Sequence, residues 1–425
     1  MPENYMRRVC DRILQEKLEA KGAVLVKGAK WCGKTTTALH AAKSVIYMED
    51  PARKEQYLQM ADMNPTQLLQ GEIPHLIDEW QLAPKLWDAV RFEVDRRDDF
   101  GQFILTGSAV PPDTSEISHT GTGRITSLLM RPMSLSESGD SDGTVSLAEL
   151  FSSQQEIFGK CDRRLEELLF LICRGGWPKS VGQSDRVALA QAIDYYDAVV
   201  EADIARVDGV SRDPERTRRV MRAYARSVAS EASVTSLLKD VRTDGSDSFS
   251  ENTLRSYLTA LQKIFVIEDT PAWNPNLRSK TAMRSSDTRY FVDPSIATAA
   301  LGVGPKDLMN DLSTAGLLFE NMCVRDLRVY AEALDGKVYH YRDRSGLECD
   351  AVIHRRNGQY GLVEIKLGGE QLIEEGAKNL KTLRDKIDSD KMNAPSFLMV
   401  LCGIAPFAYQ RKDGVLVVPI TCLKE

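Results

Sequence analysis

From Gly28 to Thr35 the chain reads G-A-K-W-C-G-K-T, the spacing G-x-x-x-x-G-K-[ST], after an apolar β-branched run and before helix-forming residues. The two glycines let backbone N–H groups turn inward around a polyphosphate, and the start of the next helix adds partial positive charge. The expected cradle is Gly28, Ala29, Lys30, Trp31, Cys32, Gly33, Lys34, Thr35 and Thr36, with Lys34 on the β- and γ-phosphates and the Thr35 hydroxyl on Mg²⁺. Farther on, the run from Ile73 ends in Asp78 and Glu79, two adjacent carboxylates closing an apolar strand. In that place Asp78 would hold Mg²⁺ and Glu79 would orient or activate an attacking water, which points to hydrolysis of ATP rather than binding alone. Thr106 and Ser108 end the next strand, as γ-phosphate sensors or as helix caps. Arg124 is either a finger that neutralises charge, within its own subunit or across a subunit boundary, or a structural arginine.

A second set of residues sits near the C-terminus. Glu348-Cys349-Asp350 on one strand and Glu364-Ile365-Lys366 on the next match the PD-(D/E)xK nuclease pattern, with Cys349 where that pattern has proline. Asp350 and Glu364 are candidate ligands of a second divalent metal; Lys366 falls on the same strand face as Glu364, placed to position a hydroxide. Glu320, on the preceding helix, is the candidate additional acid. Two readings stand side by side, a metal-dependent phosphodiesterase and a retained fold whose charges are structural. For DNA the candidates are Arg218, Arg222, Arg226, Arg255 and Lys263, which either meet phosphates or pair with Asp213, Glu215, Glu231 and Glu251.

These residues need elements to carry them. Strand-like runs at 45–48, 75–78, 102–107 and 124–130, separated by crossover-length segments, predict a parallel sheet covered on both faces. Residues 146–206 read as helices, the size and place of a lid. In 216–267, Val220, Tyr224 and Val228 form a core stripe opposite Arg218, Arg222 and Arg226, and Leu254, Leu258 and Leu261 share a face behind a capping box of Ser248 and Glu251. Three helices and a ribbon outline a winged helix, with the run from Trp273 to Arg278 as wing or Trp273 as core. A helix from about residue 315 and strands at 337–342, 349–354, 360–367 and 397–401 complete the chain. The expected class is α/β multidomain, in four parts: P-loop AAA-type core (1–138), helical lid (139–212), winged-helix-like domain (213–304) and restriction-endonuclease-like domain (305–425).

The opening from Arg7 to Thr36, the LIDEWQLAP segment, LTGS, GRITSLLMRPMSLSE and RGGWP resemble prokaryotic AAA-family ATPases with a C-terminal domain of unknown function, number 4143. The resemblance covers nearly the whole chain. It implies ATP as the nucleotide, a winged helix after the lid and a restriction-endonuclease-like terminal fold.

The bulk numbers exclude several alternatives. With 425 residues, 43% hydrophobic and 27% charged, the chain has the composition of a folded multidomain protein. A net charge of −6 means that contact with nucleic acid needs a local basic patch. The eight cysteines include no CxxC pair, the five histidines are scattered, and no apolar run is long enough to span a membrane, so the expectation is a cytoplasmic protein with free thiols and no membrane partner. Assembly into a homo-oligomer is left open.

Overall fold

Short apolar strands that bury both faces require helices on either side, which is how the first third of the chain folds. The computed structural model describes residues 5–107, 120–152, 157–242, 249–274, 286–388 and 392–425. Its opening elements are α1 (Val9–Ala20), β1 (Ala23–Lys27), α2 (Lys34–Ala41), β2 (Ser44–Tyr47), α3 (Lys54–Met63), β3 (His75–Asp78), α4 (Lys85–Arg97), β4 (Phe103–Gly107) and β5 (Ile125–Leu129). All five strands run parallel in the order β2-β3-β4-β1-β5, as the sequence predicts. Val24, Val26, Leu76, Ile77, Ile104 and Leu105 are fully buried between the helices. Ser108, Ser248 and the run from 275 to 285, Arg278 included, lie outside the described residues.

The chain forms two compact units: Met1–Pro132, Ala198–Asp213 and Thr259–Val266 in one, Met133–Asp197, Pro214–Leu258 and Ile267–Glu425 in the other. The later elements are β6 (Val145–Ser146), α5 (Leu147–Ser152), β7 (Gly159–Lys160), α6 (Leu165–Arg174), α7 (Asp185–Ala198), α8 (Pro214–Arg226), α9 (Val234–Val241) and α10 (Glu251–Lys263). Then come α11 (Pro294–Leu301), α12 (Pro305–Asn310), α13 (Leu312–Ala333), β8 (Gly336–Arg342), β9 (Glu348–Arg355), β10 (Tyr360–Gly368), α14 (Glu370–Lys386), β11 (Phe397–Ile404), β12 (Phe407–Gln410), β13 (Leu416–Pro419) and β14 (Leu423–Lys424). Helix α7 runs on into a π-helical turn, Val199–Asp203. Seven strands form the second sheet in the order β7-β12-β13-β11-β10-β9-β8. Within it β10, β11 and β13 are parallel, and α14 makes the crossover from β10 to β11. Strands β12 and β13 have no counterpart in the sequence reading.

Val220, Tyr224 and Val228 are buried, as are Leu254, Leu258 and Leu261, so both predicted stripes face the core. Helix α10 starts at Glu251, and Ser250 accepts from the Thr253 N–H at 3.0 Å, so Ser250 stands at its N-cap. Trp273 is core: it is buried and packs on the rings of Tyr341 and Tyr360.

One buried charge cluster organises the second unit. Arg325 on α13 bridges Asp293 Oδ2 at 2.8 Å and Asp326 Oδ1 at 2.7 Å, all three essentially without exposure. Asp326 accepts from the Leu135 N–H, and Asp293 from those of Gly176 and Ser295. The indole of Trp177 donates to Ser295 Oγ at 2.9 Å, so the RGGWP segment is a structural clasp. Burial pushes Asp326 up to about 6, against the pull of Arg325.

Candidate functional site

The loop between β1 and α2 is fixed by backbone geometry that only glycine tolerates at two points. Gly28 has φ of 152°, and a Cβ there would lie 2.0 Å from the Met130 carbonyl oxygen; Gly33, at φ 101°, is the N-cap of α2. Lys34 is buried, with Nζ donating to the carbonyls of Gly28 at 3.0 Å and Ala29 at 2.8 Å. Those partners are neutral, so the ammonium keeps its charge available to an anion in the loop. Cys32 is buried and Trp31 is exposed at φ 64°.

Parallel strands put the ends of β3 and β4 beside this loop. Asp78 Oδ1 accepts from Thr35 Oγ1 at 2.8 Å and from Thr106 Oγ1 at 2.5 Å, so three of the expected residues meet on one carboxylate oxygen. The next residue, Glu79, adopts the left-handed conformation at φ 58° and takes a short hydrogen bond from Gln81 Nε2. Burial raises its carboxyl above the usual carboxylate range, opposed by Gln81 and Lys34. A hydroxyl and a carboxylate in contact at the mouth of a glycine loop are the hard oxygen donors that Mg²⁺ takes together with phosphate oxygens, so the residues present fit that ion.

Arg124 is not brought to this site. It immediately precedes β5, whose first residue Ile125 pairs with Ala23 at the start of β1, whereas the glycine loop follows the end of β1. The strand's length, about 16 Å at 3.3 Å per residue, separates it from the loop of its own chain. Its guanidinium pairs instead with Asp95 on α4 at 2.7 Å. The expectation of a finger within the same subunit is corrected accordingly.

Three residues that the sequence reasoning did not name, Arg8, Asp203 and Gln81, hold residues of the site. Arg8 is buried and donates to the carbonyls of Cys32 and Arg131, each at 2.8 Å. Lys30 pairs at 2.6 Å with Asp203 of the π-helical turn. Gln81 holds Glu79. Only the arginine pair near the N-terminus offered any signal in the sequence.

The C-terminal residues also converge. Lys366 Nζ lies 2.7 Å from Glu364 Oε2 and 3.5 Å from Asp350 Oδ2, and Asp350 Oδ2 accepts from the Ile365 N–H at 2.7 Å. Glu320 on α13 accepts from the Tyr290 hydroxyl at 2.5 Å. Burial, with the Asp350 charge second, holds Glu320 well above the carboxylate range and pushes Glu364 up to about 8. Among the described residues no three His, Cys, Asp or Glu side chains gather as a metal-binding group. The Lys366 ammonium stands between Glu364 and Asp350, the two acids that would have to share the ion. Of the candidate DNA contacts, Arg218 pairs with Asp197 and Glu215, Arg226 with Asp240, and Arg255 with Glu251; Arg222 is exposed.

The parallel strand order, the glycine loop entering α2 and the hydroxyls gathered on Asp78 define a P-loop nucleotide-binding domain. Residues 20–139 match the AAA domain family, residues 315–423 match a domain of unknown function (DUF4143), and residues 165–307 match another (DUF8612). The chain thus carries an AAA domain and a C-terminal DUF4143 domain, and the AAA domain supports ATP binding. No curated protein matches the sequence. Among solved structures the chain is similar to the Walker-type ATPase of Pyrococcus abyssi, at 16% identity over 70% of this chain and 97% of that one, with a TM-score of 0.43. It is also similar to the ORC2 protein of Aeropyrum pernix, described as ADPNP–ADP complexes, at 14% identity over 73% and 97%, with a TM-score of 0.32. At such distances the assignment rests on the family matches and the loop. No helix among the described residues is long and apolar enough to cross a membrane.

Proposed function

We propose that the first unit binds ATP with Mg²⁺ through the loop Gly28–Thr36 and hydrolyses it. The observation that carries this is the meeting of Thr35 and Thr106 on Asp78 beside the buried Lys34. Lys34 would exchange its loop carbonyls for the β- and γ-phosphates, the Thr35 hydroxyl and Asp78 would hold the metal, and Glu79 would accept a proton from the attacking water. Mg²⁺ supplies neutralisation of the phosphate charge when bound. Phosphate release by wild type and Lys34→Ala, measured side by side, is the test; turnover that survives the change ends the assignment.

The second unit reads as the output of a nucleotide-controlled switch, a non-cleaving module that works through protein contacts. Two features favour this over cleavage: Lys366 bridges its own acids, and three of the four candidate DNA-binding arginines are paired with carboxylates. The rival reading makes α8–α10 and the ribbon a winged helix and the terminal sheet a nuclease-like fold acting on DNA. Plasmid nicking with Mg²⁺ or Mn²⁺ and ATP that disappears in Lys366→Ala would establish the rival.

A further inference from the structure

Backbone shape places Gln81 at the nucleotide site. Asp78 ends β3, Glu79 takes the left-handed conformation, and a 3₁₀ turn, Trp80–Leu82, brings Gln81 back to the carboxylate two residues before it. Its Nε2 donates to Glu79 Oε2. A carboxylate only accepts, so the NH₂ end of the amide faces it and the carbonyl end points elsewhere. That carbonyl oxygen, Oε1, is sealed from solvent and has no hydrogen-bond partner among the described residues. Buried acceptors are normally satisfied, and one left open beside a candidate base calls for a donor that arrives with the reactants.

The open oxygen stands over the end of β4. A Cβ on Gly107 would lie 2.5 Å from Gln81 Oε1 and 3.2 Å from the Trp80 indole nitrogen, so the missing side chain at Gly107 is what admits the amide. Gly107 follows Thr106, which is level with Asp78 in the parallel pair and donates its hydroxyl to that carboxylate. The acceptor is thus next to Glu79 and one residue along the strand from the hydroxyl on Asp78. An attacking water has two O–H bonds, and Glu79 takes one. The other needs its own acceptor if the oxygen lone pair is to be held toward the γ-phosphorus.

We propose that Gln81 is the second water-holding residue of this site: its NH₂ steadies Glu79, and its Oε1 accepts the water hydrogen that Glu79 does not take. This role rests on the reading of the first unit as an ATPase. The water oxygen bonds to the γ-phosphorus as the bond from that phosphorus to the β,γ-bridging oxygen breaks, its electron pair leaving with ADP. One water proton goes to Glu79, and the other stays on the released phosphate.

Two variants of the full chain test the role. Gln81→Met keeps the side-chain length and removes both ends of the amide; Gly107→Ala keeps Gln81 and puts a methyl group against its oxygen. Each should lower kcat for phosphate release about tenfold or more, with KM for ATP and affinity for Mg-ADP within about twofold of wild type. Affinity for Mg-ADP with aluminium fluoride, which mimics the phosphoryl group in transit with its water, should fall alongside kcat. A general loosening of the loop would weaken Mg-ADP and the fluoride complex alike, and that result would overturn the proposal. So would an unchanged kcat in either variant. Turnover abolished by Lys34→Ala yet untouched by Gln81→Met removes the role of Gln81 alone, whereas a wild-type chain that releases no phosphate ends the ATPase reading and this role with it.

Discussion

Two lysines in this molecule occupy comparable places and are left with opposite freedoms. Each stands where a parallel strand meets a glycine turn and a helix: β1, Gly28 to Gly33 and α2 for Lys34; β10, Gly368, Gly369 and α14 for Lys366. The Lys34 ammonium is held by neutral carbonyls, which an incoming phosphate outcompetes because two full charges then meet in a partly buried site. The Lys366 ammonium is held by two carboxylates, which a phosphate cannot displace without stranding buried negative charge. Topology brings a cation to the end of a strand; the partners it already has decide whether it can serve a ligand.

The sharpest way to break the comparison is to remove each cation in turn. Lys34→Ala should lower ATP turnover by on the order of a hundredfold or more, while Lys366→Ala leaves it unchanged. A comparable fall in both, measured as steady-state phosphate release, would mean that the two sites are not separate. Next in size, Thr106→Val deprives Asp78 of one of its two hydroxyl donors, and a loss of roughly tenfold in kcat is expected. A smaller effect comes from pH. Because burial raises the Glu79 pKa, the base is protonated at pH values where an ordinary glutamate is ionised, so turnover should climb with pH through a midpoint above 4.5. A profile already flat at that value would remove Glu79 as the base. Smallest of all, Arg124→Ala breaks an exposed pair with Asp95 and should change turnover by less than about twofold in dilute protein. A loss that appears only at high protein concentration would instead place Arg124 at a neighbouring copy's site.

The nucleotide loop was legible because everything it needs is local: a short apolar strand, followed by two glycines, a lysine and a hydroxyl within eight consecutive residues. Asp78 followed from the strand before it, and the buried stripes of α8 and α10 from their four-residue spacing. What the sequence hid was long-range pairing. Nothing near Lys30 announces Asp203, 173 residues away, and nothing near Cys32 announces Arg8. Arg124 misled for a different reason. It precedes its strand whereas the glycine loop follows its own, and in a parallel pair those are opposite ends of the strands; strand direction carried the answer and residue type did not. At the C-terminus Lys366 lies beside Asp350 and Glu364, while Glu320 takes the Tyr290 hydroxyl; which partners each side chain holds depends on packing that no spacing encodes.

The Arg325 cluster sets a limit on how the molecule can be dissected. Asp293 lies in the stretch matched by one family and Arg325 in the stretch matched by the next, yet their 2.8 Å contact is sealed from water and also ties down Gly176. A fragment cut at the gap between those stretches would leave Asp293 without its counter-ion in one piece and Arg325 with only Asp326 in the other. The terminal sheet and the helices before it should therefore unfold together, whatever number of family names they carry.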